Sequence, residues 1–269
     1  MKPATFEYHA PRSVDEAVAL LHEYSALQGR ILAGGQSLVP AMALRLATPA
    51  HLIDINEIPE LRKVEAHDGF LCIGACVRHS AFEKPAVPGP LGELLATVVR
   101  HIAHHPIRTR GTFCGSLAHA DPASEWALVA ATLDANLIAR SSRGMRTIAA
   151  ADFFSGLMTT ALAPDELLVE ARLPLLPEGT RFGFSEFSRR SGDFAIAMAL
   201  VVLGAEPRVG VGGVEPRPRR IREAEAASAN MEEAAARAVD PMTDPQYSAG
   251  YRRDLVRAVV RRALAQAST

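Results

Sequence analysis

The sequence lacks most of the features that would set it apart from ordinary globular proteins. Among its 269 residues there is no apolar run of about 18, so no segment reads as a membrane-crossing helix. An excess of one charge is missing too: Lys and Arg total 29 against 30 Asp and Glu, which leaves no electrostatic case for nucleic acid. Cysteine is scarce. Cys72, Cys76 and Cys114 are an odd set of 3 in a long chain, which argues against a disulfide framework. An iron–sulfur cluster held only by cysteine needs about four thiolates, so any such cluster serving this protein sits on another polypeptide. Repeats and low-complexity tracts are absent from the sequence, and residues 1–17 lack the charged-then-apolar layout of a signal peptide. A cytoplasmic location is expected. What is present is a hydrophobic fraction of 48% with 22% charged residues, enough to build a real core.

The pattern alternates short strands with helices. Ser13 and Glu16 form a capping box that opens a helix through Ala17 to Leu21. A strand at Arg30–Ala33, a helix over about Val39 to Leu46 with Pro40 in its first turn, and a strand at His51–Ile55 make a β-α-β unit. Further strands are expected at Phe70–Ala75, Asn136–Ala139 and Leu167–Leu173. Helices are expected at Leu91–His104 and at Pro122–Leu133, the latter opened by Asp121. Pro174 to Gly179 is the strongest boundary. Beyond it, Arg181–Ser188, Ala195–Leu203 and Arg208–Val214 read as strands or short helices, followed by helices over Glu223–Val239 and Tyr251–Ala267. Arg253, Arg257 and Arg261 recur every four residues on the last helix and read as a solvated face.

Two glycine-centred stretches carry the chemistry: Ala33-Gly34-Gly35-Gln36-Ser37 and Arg110-Gly111-Thr112-Phe113-Cys114-Gly115-Ser116. Each follows a β-prone stretch and leads into a segment able to start a helix. Glycine lets backbone approach a ligand, and successive N–H groups can converge on phosphate oxygens. Two such stretches suggest one diphosphate gripped from two sides, hence a dinucleotide. A NAD-type reading gains from Asp54, about 20 residues past Gly34, but the G-x-G-x-x-G fingerprint is not there. Gly35-Gln36-Ser37-Leu38-Val39 nearly matches a nucleophile elbow, giving a serine hydrolase with Ser37 as nucleophile as one alternative. A nucleotide-binding adaptor without redox chemistry is another. His101, His104, His105 and His119 with Cys114 match no zinc spacing, so no metal is assigned, and Cys72 and Cys76 read as buried apolar side chains. No general acid, base or nucleophile is assigned in the preferred reading.

The segments Leu32 to Leu38 and Arg110 to Pro122 resemble the paired FAD loops of the molybdenum hydroxylases, and the whole chain resembles their separate medium subunit, as in the xanthine dehydrogenase and carbon monoxide dehydrogenase group. The opening Phe6-Glu7-Tyr8, the segment Arg189 to Ala195 and Gly210 to Val214 fit the same pattern. The resemblance implies an α+β protein: a two-lobed PCMH-type FAD-binding domain (residues 1–57 and 58–177) followed by a smaller α+β C-terminal domain (178–269). It implies FAD contacts at Leu32, Ala33, Gly34, Gly35, Gln36, Ser37 and Leu38, and at Gly111, Thr112, Cys114, Gly115 and Ser116. Ala118, Asp121 and Glu125 would lie beside the cofactor, with Ile102 and Leu168 near its rings. The implied role is electron transfer. Electrons would come from [2Fe–2S] clusters on a small partner subunit, fed by a molybdenum-cofactor large subunit, and leave to an external acceptor. Two departures stand out: Cys114 occupies a usual glycine position, and Glu186 stands where several relatives carry lysine, which implies an altered flavin potential or acceptor preference.

Overall fold

The computed structural model describes residues 2–227 and 229–269. The chain begins with a parallel sheet: β1 (Glu7–His9), α1 (Val14–Tyr24), β2 (Gly29–Leu32), α2 (Leu38–Ala43) and β3 (His51–Asp54), in strand order β1-β3-β2. The Ser13 hydroxyl accepts the Glu16 N–H at 3.2 Å, while the Glu16 carboxylate accepts the Arg12 N–H at 2.8 Å. That pairing starts α1, and Val14, Ala17, Val18 and Leu21, three or four apart, bury its inner face. The second helix ends at Ala43 rather than Leu46. Arg45 takes a left-handed φ of 58° and the Leu46 N–H closes on the Ala41 carbonyl at 2.9 Å, a helix stop formed without the usual glycine.

Next come β4 (Val64–His67), β5 (Phe70–Gly74), α3 (Pro90–Val98), α4 (His105–Arg108), α5 (Phe113–His119) and α6 (Glu125–Thr132). They are followed by β6 (Asn136–Ser141), β7 (Gly144–Ala149), α7 (Ala150–Phe153), β8 (Phe154–Gly156), β9 (Thr159–Thr160) and β10 (Leu167–Pro174). An antiparallel sheet of order β4-β5-β10-β6-β7 results, with α5 packed against β5 and β10. The helix expected to reach His104 stops at Val98 and tightens into a 3-10 turn over Val99–His101. Past that turn the Arg108 guanidinium donates to the carbonyls of Ile102 and Ala103, at 3.1 and 3.2 Å. The helix expected to open at Asp121 starts at Glu125, capped by Ser124, whose hydroxyl accepts the Ala127 N–H at 3.4 Å. Asp121 precedes proline, which disfavours helical backbone there, and its carboxylate instead closes a turn by accepting the Ala123 N–H at 2.8 Å. The strands β4 and β7, unread in the sequence, are mostly exposed and therefore lack a hydrophobic alternation.

The last part comprises β11 (Arg181–Phe187), β12 (Ala197–Leu203), β13 (Arg208–Gly212), β14 (Arg219–Arg220), α8 (Arg222–Ala226), α9 (Met231–Ala238) and α10 (Ala249–Ser268), with the strands antiparallel in chain order. β12 is apolar throughout because both its faces are covered. Met198, Leu200 and Val202 join the core shared with the preceding parts, whereas Ala197, Ala199 and Val201 face the second core under α10. The single helix expected over Glu223–Val239 is two helices, α9 starting after Asn230 in a left-handed φ of 65°. The arginine stripe on α10 is engaged rather than free: Arg257 bonds Glu233 at 2.5 Å, and Arg261 and Arg253 approach Glu232 and Asp240 at 3.7 and 4.0 Å.

Buried Arg252 ties α10 to this sheet, donating to the carbonyls of Gly213 at 2.8 Å and Ile196 at 3.2 Å and to Asp244 at 2.6 Å. Arg252→Met strands these acceptors and should cost about 3 kcal/mol, read as a lower urea midpoint with an unchanged slope.

Candidate functional site

Loop 32–38 leaves the C-terminal end of β2 and runs directly against the backbone of residues 110–112. A Cβ added at Gly34 would fall 2.6 Å from the Arg110 carbonyl oxygen and 2.6 Å from the Gly111 Cα, so no side chain fits. Gly35 follows with a φ of +71°, which only glycine adopts freely. Side chains lock the approach. Asn56 donates to the Ala33 carbonyl at 2.8 Å, and Arg78 donates to Asn56 Oδ1 at 2.5 Å and also to the Arg110 carbonyl. One arginine and one asparagine thus tie the first stretch to the second.

The second stretch is mostly helix rather than loop. Thr112 caps α5, its hydroxyl accepting the Gly115 N–H at 3.1 Å. Among the described residues, the backbone N–H groups of Gly35, Gln36, Ser37 and Leu38 on one side, and of Thr112 and Cys114 on the other, donate to no acceptor within the chain. Buried or half-buried amides normally find partners, so two facing sets without them form a cradle for an anionic group.

The cradle opens on a cleft of about 600 Å³, the size of small-molecule and cofactor sites. Leu32, Ala33, Gly34, Gly35, Gln36, Ser37 and Leu38 form one wall. Ile102, Gly111, Thr112, Gly115, Ser116 and Ala118 face them, with Asp121 and Glu125 alongside. Cys114 and Leu168 are not brought into this cleft. They line an adjoining cavity of about 430 Å³ that shares Ala33, Gly115 and Ala118 with it. The thiol of Cys114 is turned into the core, donating to the Ile73 carbonyl at 3.5 Å, and burial raises its pKa far above the ordinary thiol range.

Sequence reasoning missed Asn56, Arg78 and His79, and the cleft-lining Met158, Asp193 and Phe194. His79 lines the cleft, and the indole of fully buried Trp126 donates to its Nδ1 at 2.9 Å. That bond makes Nδ1 an acceptor and puts the proton of the neutral ring on Nε2, beside Gly111. Burial, then the charges of Arg78 and Arg108, push its pKa down to about 4. Trp126 itself packs against Phe113 and Phe82, ring centroids 4.9 and 5.4 Å away. Glu125 carries the opposite shift: burial, with the neighbouring charges of Glu186 and Asp121, raises it to about 8. Glu186 does not line the cleft. It stands 3.2 Å from His101 Nδ1, and its charge is one of the causes that raise Glu125. Ser37 has ordinary helical backbone and bonds no histidine among the described residues, so the strain and the base of a hydrolase elbow are both missing.

Two backbone cradles facing across a cleft define a dinucleotide-binding protein. Residues 4–176 match the family model described as the FAD binding domain in molybdopterin dehydrogenase. Over 284 aligned residues the chain is 38% identical to the nicotine 6-hydroxylase medium subunit of Paenarthrobacter nicotinovorans, covering 99% of each. A chain of carbon monoxide dehydrogenase from Hydrogenophaga pseudoflava superposes with a TM-score of 0.94 at 36% identity, over 100% of this chain and 99% of that one. Quinoline 2-oxidoreductase from Pseudomonas putida 86 gives 0.90 at 33% identity, covering 100% and 98%. The chain belongs to the FAD-binding medium subunits of the molybdenum hydroxylase family, and is the flavoprotein component of an oxidoreductase. The hydrolase alternative falls with that assignment. The α+β fold with a two-lobed FAD-binding domain and a smaller C-terminal part stands.

Gly34→Ala should force the two stretches apart and weaken FAD binding at least ~10-fold, about 1.4 kcal/mol, measured by equilibrium dialysis of the refolded chain. The two buried titrating groups give opposed slopes in the FAD-free chain. His79, held near 4 against 6.5 unfolded, takes roughly 3 kcal/mol of stability away as pH falls through that window. Glu125, raised to about 8 from 4.5, withdraws stability as pH rises instead. Urea unfolding across pH 4–8 should show His79→Asn flattening the acid limb and Glu125→Gln the alkaline one.

Proposed function

We propose that this subunit relays electrons from iron–sulfur clusters on a small partner subunit to an external acceptor, within a complex whose large subunit carries a molybdenum cofactor and hydroxylates the organic substrate. Bound FAD would supply the redox chemistry, since no side chain of this protein carries electrons. The sets of unbonded N–H groups, at residues 35–38 and at Thr112 and Cys114, carry the proposal: they suit an anionic group such as a diphosphate.

In this reading the chain binds, orients and shields. The Gly34–Gly111 contact fixes the spacing of the cradle, and Arg78 and Asn56 hold it while lying behind the two stretches. Ser116 adds a hydroxyl, and Asp121 and Glu125 accept from sugar or ring donors, Glu125 remaining protonated, and so also able to donate, near neutral pH. The neutral His79 offers Nε2–H as a donor whose charge does not change near pH 7. Ile102, on the main cleft, and Leu168, on the adjoining cavity, give apolar surface for a ring system. We assign residues 1–57 and 58–177 as the two lobes around the cofactor and 178–269 as a smaller C-terminal domain whose Asp193 and Phe194 reach the cleft.

Relatives named for nicotine, caffeine and carbon monoxide share most of this chain's length, which supports a reading in which substrate choice lies with the large partner. A cytoplasmic complex fits a chain in which no described helix is long and apolar enough to cross a membrane.

The purified subunit, alone or with its companions, should be yellow, with the two absorption bands of oxidised flavin bleached by dithionite and about one FAD per chain. A colourless preparation that binds ADP and refuses FAD would make the protein a nucleotide-binding adaptor instead.

A further inference from the structure

A second cluster lies away from the flavin cleft, on the first parallel sheet. The parallel pairing of β1 with β3 sets Glu7 opposite His51, and His9, two residues beyond Glu7, returns to the same face. His9 Nε2 stands 3.2 Å from His51 Nδ1, and Glu7 Oε2 stands 3.5 Å from that same nitrogen. Taken together, the three ligand atoms lie within 4.8 Å of one another. The imidazoles are within 29° of coplanar, and the Tyr24 ring stacks on both, with centroids 4.7 Å from His9 and 4.1 Å from His51.

We propose that Glu7, His9 and His51 form a binding site for a zinc-class divalent transition metal. Three observations converge on it. As a donor, His51 Nδ1 can satisfy only one of its two neighbours, and as an acceptor it leaves the Glu7 carboxylate facing a lone pair; a shared cation satisfies all three atoms. Ligands about 2.0–2.1 Å from a tetrahedral zinc ion are about 3.3 Å apart, close to the 3.2 and 3.5 Å that separate His51 Nδ1 from its two neighbours. Tyr24, stacked on both rings, holds them in place before any ion arrives, so little ordering remains to be done on binding.

The donor set names the metal class. Two imidazole nitrogens and one carboxylate suit zinc, nickel or copper, whereas magnesium and calcium want oxygen only. The His51 side chain is 13% exposed and that of Glu7 73%, so the cluster sits at the surface with its fourth position open to water or to a ligand from a docked partner. None of the three lines the flavin cleft. The histidines are 42 residues apart in sequence, so no spacing motif advertises them.

The test uses the full chain with its FAD, stripped by EDTA and titrated with ZnCl2 by calorimetry and with CoCl2 by visible absorption. One ion per chain at micromolar affinity is expected, with the cobalt bands of a low-coordinate nitrogen–oxygen site. His9→Gln and His51→Gln should each weaken zinc at least ~10-fold with flavin content unchanged, and Glu7→Gln, at an exposed position, guards against misfolding and should weaken it as well. His105→Ala, on a separate surface, should change nothing. Absence of binding at 100 µM zinc, or equal affinity in the three variants and the parent, would overturn the site.

Discussion

The site depends on one close contact between two backbones. At Gly34 the first loop presses on Arg110 and Gly111 closely enough that a methyl group would collide with a carbonyl oxygen and an α-carbon. In the proposed function, everything that recognises the cofactor follows from that distance. With the two stretches in contact, their unpartnered N–H groups face a common volume; with them a few ångströms apart, each would be an ordinary turn. Contact of this kind brings polar groups together out of water, so it needs compensation. Arg78 and Asn56 provide it, bonding the Arg110 and Ala33 carbonyls that the approach would otherwise desolvate.

A second layer holds that geometry still. His79 precedes an apolar cluster of Phe82, Phe113 and Trp126, and the Trp126 N–H fixes which ring nitrogen of His79 carries its proton. Phe113 is the first residue of α5, so aromatic packing positions the helix whose cap, Thr112, lines the cleft. The C-terminal sheet braces this assembly from behind. β12 gives alternate side chains to the main core and to its own helices, so the last third of the chain shares one hydrophobic body with the cofactor domain. A chain arranged this way transmits stability to the cradle through packing rather than through long-range charge.

Electrostatics here is local and uncommon in its direction. The two buried titrating groups on the cleft, His79 and Glu125, are both pushed toward their neutral forms by desolvation. Glu186, a departure from lysine, lies outside the cleft lining and contributes to the raised Glu125. The arginine stripe on α10 stays at the surface, where Arg257 pairs closely with Glu233 of α9.

Local signals were legible wherever one short stretch settles the outcome. The capping box, the β-α-β opening, the two glycine stretches and the continuous apolar run of β12 are all determined by neighbours in sequence. Several boundaries were not. The end of α3 and the late start of α6 depend on Arg108, on Ser124 and on a turn closed by Asp121, and exposed strands such as β4 and β7 carry no alternation to read, although Asp68-Gly69 marks the hairpin between β4 and β5. By itself the sequence determined the elements and the glycines, because backbone freedom and helix capping are properties of a few adjacent residues. Only the tertiary structure decided that Asn56 and Arg78 clamp the cradle, that Cys114 turns away from it, and that Glu7, His9 and His51 share one face. Those relations join residues far apart in the chain, and packing alone sets the distances between them.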